Sequence, residues 1–348
     1  MTTLNELKSL ALTNSLFPKT SLKEAVDRLG FVQIDPIRSP APAQDLILRQ
    51  RVKNYRVGDI DASYQELLLE EDHLYAHGYI VKELWRLLHP RKAKLTAFDK
   101  DVLKIVASLP EVDDKRLGDY FTDKKVVNWW GGYSQATNFS LNRLHYYGLI
   151  RVVRRQKGKR VYQAFTLEDQ QLSLEERLSI LILAIVKIHQ PISQKLLNEA
   201  LHRIREHFGK TQKIIDRLVS TEKLGKCTIE SQTYYWSASA SKGDNQEFGV
   251  RILAPFDPLV RDRTRFSHFW NWDYRFEAYT PVSKRIRGYY AMPLLWKSDV
   301  IGWANLKVKN NTLDIDLGFV GGRPKTQLFE QELDIELADI KRFLCLPS

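Results

Sequence analysis

An amide and a carboxylate stand two residues apart at Gln33 and Asp35, within the stretch GFVQIDP. The apolar residues around them predict a strand, in which alternate side chains point to the same face. Pro36 favours an extended backbone at Asp35, so we expect the two polar groups to project together. A carboxylate can act as a general base or stabilise a cationic transition state, and an amide can orient water or substrate. The alternative is that the pair lies on the solvent face of a strand, where Asp35-Pro36 starts a turn.

Two amphipathic helices are predicted before this strand, over residues 3–16 and 21–29. Ser21, followed three residues later by Glu24, forms a capping box that marks the start of the second helix. Gly30 marks its end. Two helices followed by an extended segment are compatible with a helix-turn-helix core in the N-terminal segment.

A strongly basic hairpin is predicted in the middle of the chain. Residues 126–163 predict a helix and then a β-hairpin that turns at Lys157-Gly158, an arrangement typical of winged helices. The hairpin carries six cations in ten residues with no acid among them, which suits contacts with duplex phosphates. The alternative is a solvated charged hairpin. The predicted DNA-binding cations are Arg151, Arg154, Arg155, Lys157, Lys159 and Arg160.

A third unit of helices and a hairpin is predicted after the second, beginning at Ser173 or Thr166. A polar linker over 237–247 separates it from a region of short strands and a closing amphipathic helix over 326–344. The strand-like stretches there are YRFEAYTPV, GYYAMPLLW, VIGWANLKV and TLDIDLGFV. The predicted fold class is α+β, with tandem winged-helix units (helix-turn-helix plus β-hairpin) followed by a C-terminal α+β domain. The predicted segments are 1–90 with the Gln-x-Asp pair, 91–168 with the basic hairpin, 169–240, and 241–348.

A second basic region lies in the C-terminal domain, where SKRIRGYYAMP combines cations with paired tyrosines. Acidic residues are interspersed in and after FDPLVRDRTRF, so ion pairs inside the domain are the alternative to ligand contacts. His77, within LYAHGYI, is either a packing residue or part of an active site. The candidate DNA-binding residues of this region are Arg263, Lys284, Arg285, Arg287 and Tyr289.

The overall charge favours a polyanionic partner. The 348-residue chain has 53 Lys and Arg against 42 Asp and Glu, a net charge of +11, which favours nucleic acid first and an anionic membrane second. Cys227 and Cys345 lie far apart and match no metal-ligand pattern, so we predict a reducing compartment. The N-terminus has no signal-peptide pattern and no apolar stretch is of bilayer length, which predicts a cytoplasmic protein. Phosphate-loop, GxGxxG and zincin patterns are missing, so we expect neither cofactor nor metal.

Three stretches of the chain together resemble the bacterial winged-helix DNA glycosylases typified by AlkZ and by YcaQ (also called AlkX). The resemblance implies tandem winged helices in a C-shaped body around a DNA-binding cleft. It also implies a catalytic Gln-x-Asp motif, which falls on Gln33 and Asp35. The stretches are LGFVQID, WW…LNRLHYYGLIRVVRRQKGKRVY and APFDPLVRDRTRF…WDYRFEAYTPVSKRIRGYYAMPLL.

The resemblance further implies a substrate class and a reaction. The substrate would be double-stranded DNA with an N7-alkylated purine or an interstrand crosslink, as in base excision repair of alkylation damage. Asp35 would stabilise positive charge on the sugar, deprotonate the attacking water, or both, and Gln33 would hold the water or the deoxyribose. The motif places no lysine nucleophile, so we expect a monofunctional enzyme that leaves an abasic site. We also expect a monomer associated with the bacterial nucleoid.

The chain departs from the pattern of that family at four positions, which leaves the preferred lesion open. Gly78 follows His77 where an acidic residue is expected, and Arg261 replaces a tryptophan. Trp303 and Asn305 stand where arginine and aspartate are expected. Two other readings of the basic chain stay open. One is a non-catalytic winged-helix DNA-binding protein such as a transcription regulator, and the other is an RNA-binding or chromatin-associated factor.

Overall fold

The protein has a mixed α+β architecture, as predicted for its fold class. The computed structural model describes residues 3–121, 125–127, 133–156, 159–166, 171–241 and 247–347. Across these ranges the strands form five small antiparallel sheets, each with short helices packed around it. Over the same ranges, every helix is too short or too polar to cross a membrane.

The N-terminal segment contains the predicted pair of helices followed by a short strand. Ser21 and Glu24 form the predicted capping box, and Gly30 ends the second helix in the left-handed conformation at φ 68°. The strand then pairs with β3 in a three-stranded sheet of order β1-β3-β2. The elements are α1 (Leu4–Ser15), α2 (Leu22–Leu29), β1 (Phe31–Gln33), α3 (Ala43–Leu48), α4 (Asp59–Ala62), β2 (Leu69–His73), β3 (His77–Val81) and α5 (Lys82–Leu88).

The second segment contains the predicted helix and hairpin. The helix ends before Gly148, whose φ of 74° lets the chain reverse into the hairpin. The predicted turn at Lys157-Gly158 lies outside the described residues. The elements are α6 (Ala97–Ser108), α7 (Asp114–Gly118), β4 (Lys125–Val127), β5 (Tyr133–Gln135), α8 (Ala136–Tyr146), β6 (Ile150–Gln156) and β7 (Lys159–Ala164).

The third segment is built around one apolar helix that opens at Ser173. This residue accepts from the backbone N–H of Glu176 and forms a capping box with it, so Thr166 does not start the helix. Several of the helix's leucines and isoleucines are fully buried in the core of this segment. The elements are α9 (Leu174–His189), β8 (Ile192–Ser193), α10 (Gln194–Ala200), α11 (His202–Phe208), α12 (Gln212–Ser220), β9 (Leu224–Ile229) and β10 (Gln232–Ser237).

The C-terminal segment forms a four-stranded sheet of order β11-β12-β13-β14, covered by the closing helix. Three of the predicted strand-like stretches and the helix are confirmed, but YRFEAYTPV is not a strand. Its Glu277 carboxylate instead accepts the backbone N–H groups of 286–288 and folds this stretch into a loop. The elements are β11 (Arg251–Ile252), α13 (Pro258–Arg261), α14 (Arg263–Trp270), a 3-10 helix (Val282–Lys284), β12 (Met292–Trp296), β13 (Asp299–Lys309), β14 (Thr312–Phe319) and α15 (Gln327–Phe343).

The largest hydrophobic core joins the first and last segments of the chain. Val32 of β1 and Tyr79 of β3 belong to the same buried cluster as Met292 of β12 and Phe329 of α15. A buried ion pair between Arg49 and Glu336 (2.6 Å) bridges the same two segments. The end of β1, which carries the candidate chemical groups, therefore lies at the junction between the N-terminal and C-terminal segments.

Candidate active site

Gln33 is the last residue of β1 and lies opposite Gly78 of β3. A side chain at position 78 could not fit, because the Phe31 ring lies 2.3 Å from where its Cβ would be. Phe31 in turn packs against the Tyr75 ring, with centroids 4.6 Å apart. Phe31 thus fills the space next to Gln33 that a side chain at position 78 would occupy. This explains why the chain has glycine there, the first departure from the family pattern.

The amide of Gln33 is held by a residue from the opposite end of the chain. The Arg261 guanidinium donates a hydrogen bond to the Gln33 Oε1 atom, and Gln33 is buried. Arg261 also lies 4.8 Å from the centre of the Tyr75 ring, within cation–π range. Burial lowers the pKa of Arg261, but an arginine so shifted stays cationic at neutral pH. With Oε1 fixed, the Nε2 group of Gln33 is the end left to donate to water or a ligand.

A buried ion pair fixes the helix that carries Arg261. Asp257 precedes α13 and accepts from the backbone N–H of Leu259 at 2.9 Å, which caps the helix. Both oxygens of Asp257 also accept from Arg51, at 2.7 and 2.9 Å, and both residues are fully buried. Two charge-assisted bonds in this geometry define position well. Arg51 and Asp257 therefore set the place from which Arg261 reaches Gln33.

The Asp35 carboxylate is half-buried and lacks a cationic partner among the described residues. Its Oδ1 accepts from the backbone N–H of Ile37 at 2.9 Å. Burial raises the pKa of Asp35 above that of an ordinary aspartate, although the Ile37 bond acts in the opposite direction. The nearby carboxylate is one of the groups that raise the pKa of Tyr290, behind burial, and the Tyr290 hydroxyl lacks a hydrogen-bond partner among the described groups. Asp35 is thus a carboxylate without an ion pair among the described residues, and its charge is felt at the unpartnered Tyr290 hydroxyl.

The two groups of the Gln-x-Asp pair both turn towards the C-terminal segment. Gln33 contacts Arg261, and Asp35 interacts electrostatically with Tyr290. The prediction that they share one face is compatible with this placement, although they do not hydrogen-bond to each other in the described structure. In the sequence, Arg261 is one cation of a basic region and a departure from the family pattern, and Tyr290 is one of two paired tyrosines, but neither is predicted to contact the Gln-x-Asp pair. The stretches that contain them, APFDPLVRDRTRF and GYYAMPLL, were the available signal.

His77 lies at the start of β3, close to the same strand end but inside an ion-pair network. Its backbone carbonyl accepts from the N–H of Ile34 at 3.0 Å. Its ring Nε2 lies 2.6 Å from a guanidinium nitrogen of Arg160 and 3.4 Å from Glu71. The Nε2 atom of His77 is therefore engaged by the ion-pair network of the basic hairpin, and an active-site role for His77 stays a prediction.

Much of the charge on the basic hairpin is neutralised inside the protein. Arg155 donates to both oxygens of Glu71 at 2.7 and 2.8 Å, and Arg160 donates to one of them at 2.9 Å. Glu71 lies in β2 and is buried, but these cations together with His77 hold its pKa well below the usual range. The hairpin is therefore anchored to the N-terminal sheet by a buried carboxylate.

The other hairpin cations differ in their surroundings. Arg154 pairs with Glu111 at 2.8 Å, and Arg151 lies 3.5 Å from the buried Glu70. Lys159 is exposed and has no ion pair among the described residues. Lys157 lies outside the described residues. Contact with DNA stays a prediction for all six hairpin cations, and Lys159 is the described cation most free to make it.

The candidate DNA-binding residues of the C-terminal segment differ in whether their side chains are already bonded within the protein. Arg263 donates to two backbone carbonyls, at 2.9 and 3.0 Å, and stacks on Tyr274 at 4.3 Å, so it holds its own helix in place. Lys284 is exposed. Arg285 donates to the Thr280 carbonyl at 2.8 Å and lies 5.1 Å from the Tyr289 ring. Their contact with DNA likewise stays a prediction.

The two remaining departures from the family pattern meet at Arg287. The guanidinium of Arg287 lies over the rings of Trp272 and Trp303, 4.9 and 5.7 Å from their centroids. Asn305 donates to the Arg287 carbonyl at 2.7 Å and to Asp316 at 3.3 Å. Trp303 and Asn305 therefore position the loop that contains Arg287, one of the candidate DNA-binding residues.

Two comparisons with known proteins agree with this architecture. The family model described as DNA glycosylase AlkZ-like matches residues 26–343. The Streptomyces sahachiroi DNA glycosylase AlkZ has a similar structure, with a TM-score of 0.63 over 99% of this chain and 97% of that chain. The two sequences are 12% identical, so this likeness establishes the fold.

Proposed function

The chain belongs to the family of AlkZ-like DNA glycosylases, and from this membership we propose that it hydrolyses the N-glycosidic bond of N7-alkylated purines in double-stranded DNA. The observation that supports this activity best is the Asp35 carboxylate, which is half-buried and has no described cationic partner. A desolvated, unpaired carboxylate is ready to interact with positive charge that develops on a substrate. Gln33, fixed by Arg261, supplies a positioned donor two residues before it in the chain.

The proposed reaction uses the charge of the lesion. An N7-alkylated guanine is cationic, so the bond from N9 to C1′ breaks with its electron pair passing to the base, which leaves neutral. Positive charge then develops on the deoxyribose, as in other glycoside hydrolyses, and Asp35 stabilises it. Water attacks C1′ and gives its proton to Asp35, which passes the proton to solvent. Gln33 orients the water or the sugar. The products are the free base and an abasic site, and no lysine adduct is formed.

The pH dependence of this reaction follows from the environment of Asp35. Burial raises the pKa of Asp35, so the group is protonated over a wider acidic range than a free aspartate. Activity that needs the carboxylate is present above this raised pKa and is lost as the pH falls through it. We therefore expect the acidic limb of the rate profile to lie above the ordinary aspartate range. A limb at or below that range would count against Asp35 as the titrating group.

The same proposal includes the arrangement of the segments, the range of substrates, the oligomeric state and the location of the protein. The three helix-and-hairpin segments would act as winged helices of a C-shaped body, and their predicted boundaries at 90, 168 and 240 stay predictions. Unhooking of interstrand crosslinks, action as a monomer and a cytoplasmic location also stay predictions. The excess of cations, +11 overall, supports duplex DNA as the partner.

The proposal is tested by incubating the protein with duplex DNA that contains N7-methylguanine and measuring the released base by chromatography. We expect release of the free base, strand breaks only after alkaline treatment, and unchanged release in EDTA. Breaks without alkali would contradict the monofunctional reaction, and loss of release in EDTA that zinc restores would reveal a metal site. Duplex binding without any base release would favour a non-catalytic DNA-binding protein such as a transcription regulator.

A further inference from the structure

A loop over residues 278–289 exposes four large apolar or aromatic side chains. Its most exposed large side chains are Tyr279 (78% exposed), Val282 (76%), Ile286 (76%) and Tyr289 (40%). Single exposed apolar residues need no explanation, but four within one short loop indicate a surface that contacts a partner. We call this segment the apolar loop.

The apolar loop is held in a fixed shape. The buried Glu277 carboxylate accepts from the backbone N–H groups of Ile286, Arg287 and Gly288, at 2.8 to 3.2 Å. Burial alone would raise the pKa of Glu277, but these three bonds outweigh it and lower the pKa, so the carboxylate stays ionised. Asn305 adds a bond to the Arg287 carbonyl at 2.7 Å. The backbone that carries Ile286 is therefore fixed, which reduces the entropic cost of contact.

The apolar loop borders a cavity that the segment following the candidate catalytic carboxylate also lines. It leads directly into Tyr290, the buried tyrosine that interacts with Asp35. A cavity of about 340 Å³ is bounded by residues 286–290 on one side and by Ser39, four residues beyond Asp35, on another. A substrate whose scissile bond reaches Asp35 would therefore pass close to the loop.

The charge of the apolar loop favours duplex DNA over other partners. Residues 278–289 contain Lys284, Arg285 and Arg287 and no acidic residue. Proteins that distort DNA combine cations on the phosphates with an apolar side chain that enters between base pairs. Such a wedge offsets part of the unstacking energy needed before a buried base can be reached.

We propose that the apolar loop inserts Ile286, supported by Val282, into the base stack beside the nucleotide on which Asp35 acts. This inference rests on the proposed function for the identity of the reaction, but unstacking itself can be measured without catalysis. The lysine and arginines of the loop hold the neighbouring phosphates. The wedge separates the lesion from its neighbour and brings the sugar towards Asp35.

The test uses a duplex with a non-cleavable abasic analogue, tetrahydrofuran, and 2-aminopurine beside it, because 2-aminopurine brightens when it is unstacked. We expect the wild-type protein to raise the 2-aminopurine fluorescence at saturation and Ile286→Ser to abolish most of this rise. The duplex affinity of Ile286→Ser should change less than about threefold, because the cations of the loop remain. Single-turnover release of N7-methylguanine should fall about tenfold or more, since the wedge no longer offsets the unstacking energy. The matched control is Ile335→Ser, which removes another exposed isoleucine, 64% exposed against 76% for Ile286, from α15.

The outcomes separate this inference from the proposed function. A fluorescence rise in wild type that is lost in Ile286→Ser, without base release by either protein, would support the wedge and refute the glycosylase. Base release by wild type with an unchanged fluorescence rise in Ile286→Ser would overturn the wedge alone. Loss of binding to vesicles of anionic phosphatidylglycerol in Ile286→Ser, with unaltered 2-aminopurine signals, would overturn it in favour of a membrane-contacting loop.

Discussion

Replacing Arg261 tests how the structure positions the Gln33 amide. Arg261 donates a charged hydrogen bond to the buried Gln33 Oε1, and such bonds contribute ~1.5–3 kcal/mol. If Gln33 must be oriented in the transition state, loss of the whole contribution would slow base release by roughly 10- to 150-fold, since 1.4 kcal/mol corresponds to a factor of ten. Water can replace part of the bond in Arg261→Ala, so we expect a fall of about tenfold.

The assay is single-turnover release of N7-methylguanine at saturating enzyme, with duplex affinity and thermal unfolding measured in parallel. Arg261→Ala should lower the rate without moving the acidic limb of the pH profile, because Asp35 is untouched. Arg261→Lys should restore only part of the rate, since an ammonium cannot reproduce the planar contact with both Gln33 and Tyr75. The control is Arg342→Ala, an exposed arginine of α15 whose one ion pair in the described structure is with Asp339 on the same helix.

A double-mutant cycle separates positioning from general damage. Gln33→Ala and Arg261→Ala should be strongly non-additive in the rate, with a coupling energy of at least ~1 kcal/mol, because each change removes the same contact. Additive effects within ~0.3 kcal/mol, or a wild-type rate in Arg261→Ala, would refute the claim that Arg261 positions the amide.

Three further predictions concern stability and DNA affinity. Asp257→Asn should lower the free energy of unfolding in urea by ~3–5 kcal/mol, because it leaves the buried Arg51 guanidinium without its ionised partner. The control Asp273→Asn, at an exposed ion pair, should cost under ~1 kcal/mol. Equal costs for the two variants would contradict a stabilising role for the buried pair. Burial raises the pKa of Glu70 to about 7, so its ionised form disfavours the folded state and wild-type stability is lost as pH rises from about 4.5 to 7. Glu70→Gln should therefore be more stable than wild type at pH 8, by on the order of 3 kcal/mol at most, and should have no such advantage at pH 4. A variant that is less stable than wild type at pH 8 would show that Glu70 is stabilised as a carboxylate. Lys159→Glu should weaken binding to all duplexes similarly and reduce the salt dependence by about one counterion, and weakening at one sequence alone would argue against a phosphate contact.

Local features of the fold could be predicted because their causes are local. The capping box of Ser21 and Glu24 and the left-handed Gly30 fix the end of α2, and the alternation after it gives β1. The stretch YRFEAYTPV is predicted as a strand because it is one of several short strand-like stretches at regular spacing. It forms a loop because the Glu277 carboxylate bonds backbone groups nine to eleven residues later, an effect that periodicity cannot show.

The composition of the site depended on contacts between distant parts of the chain. Gln33 and Asp35 could be proposed from their spacing, but Arg261 lies 228 residues after Gln33 and meets it only through the core shared by the first and last segments. The basic hairpin shows the same limit. Its six cations can be counted in the sequence, but the buried Glu71 that Arg155 and Arg160 neutralise lies more than eighty residues earlier in β2. Cation counts alone therefore overstate the charge available for DNA.

The measurement that tests the central claim most directly is release of N7-methylguanine from duplex DNA by wild type and Asp35→Asn in parallel. The amide keeps the size of the side chain but can neither take a proton from water nor balance positive charge on the sugar. We expect release by wild type, a loss of at least about a hundredfold in Asp35→Asn, and equal duplex affinity for both proteins. Equal rates of release by the two proteins would show that Asp35 is not the catalytic carboxylate.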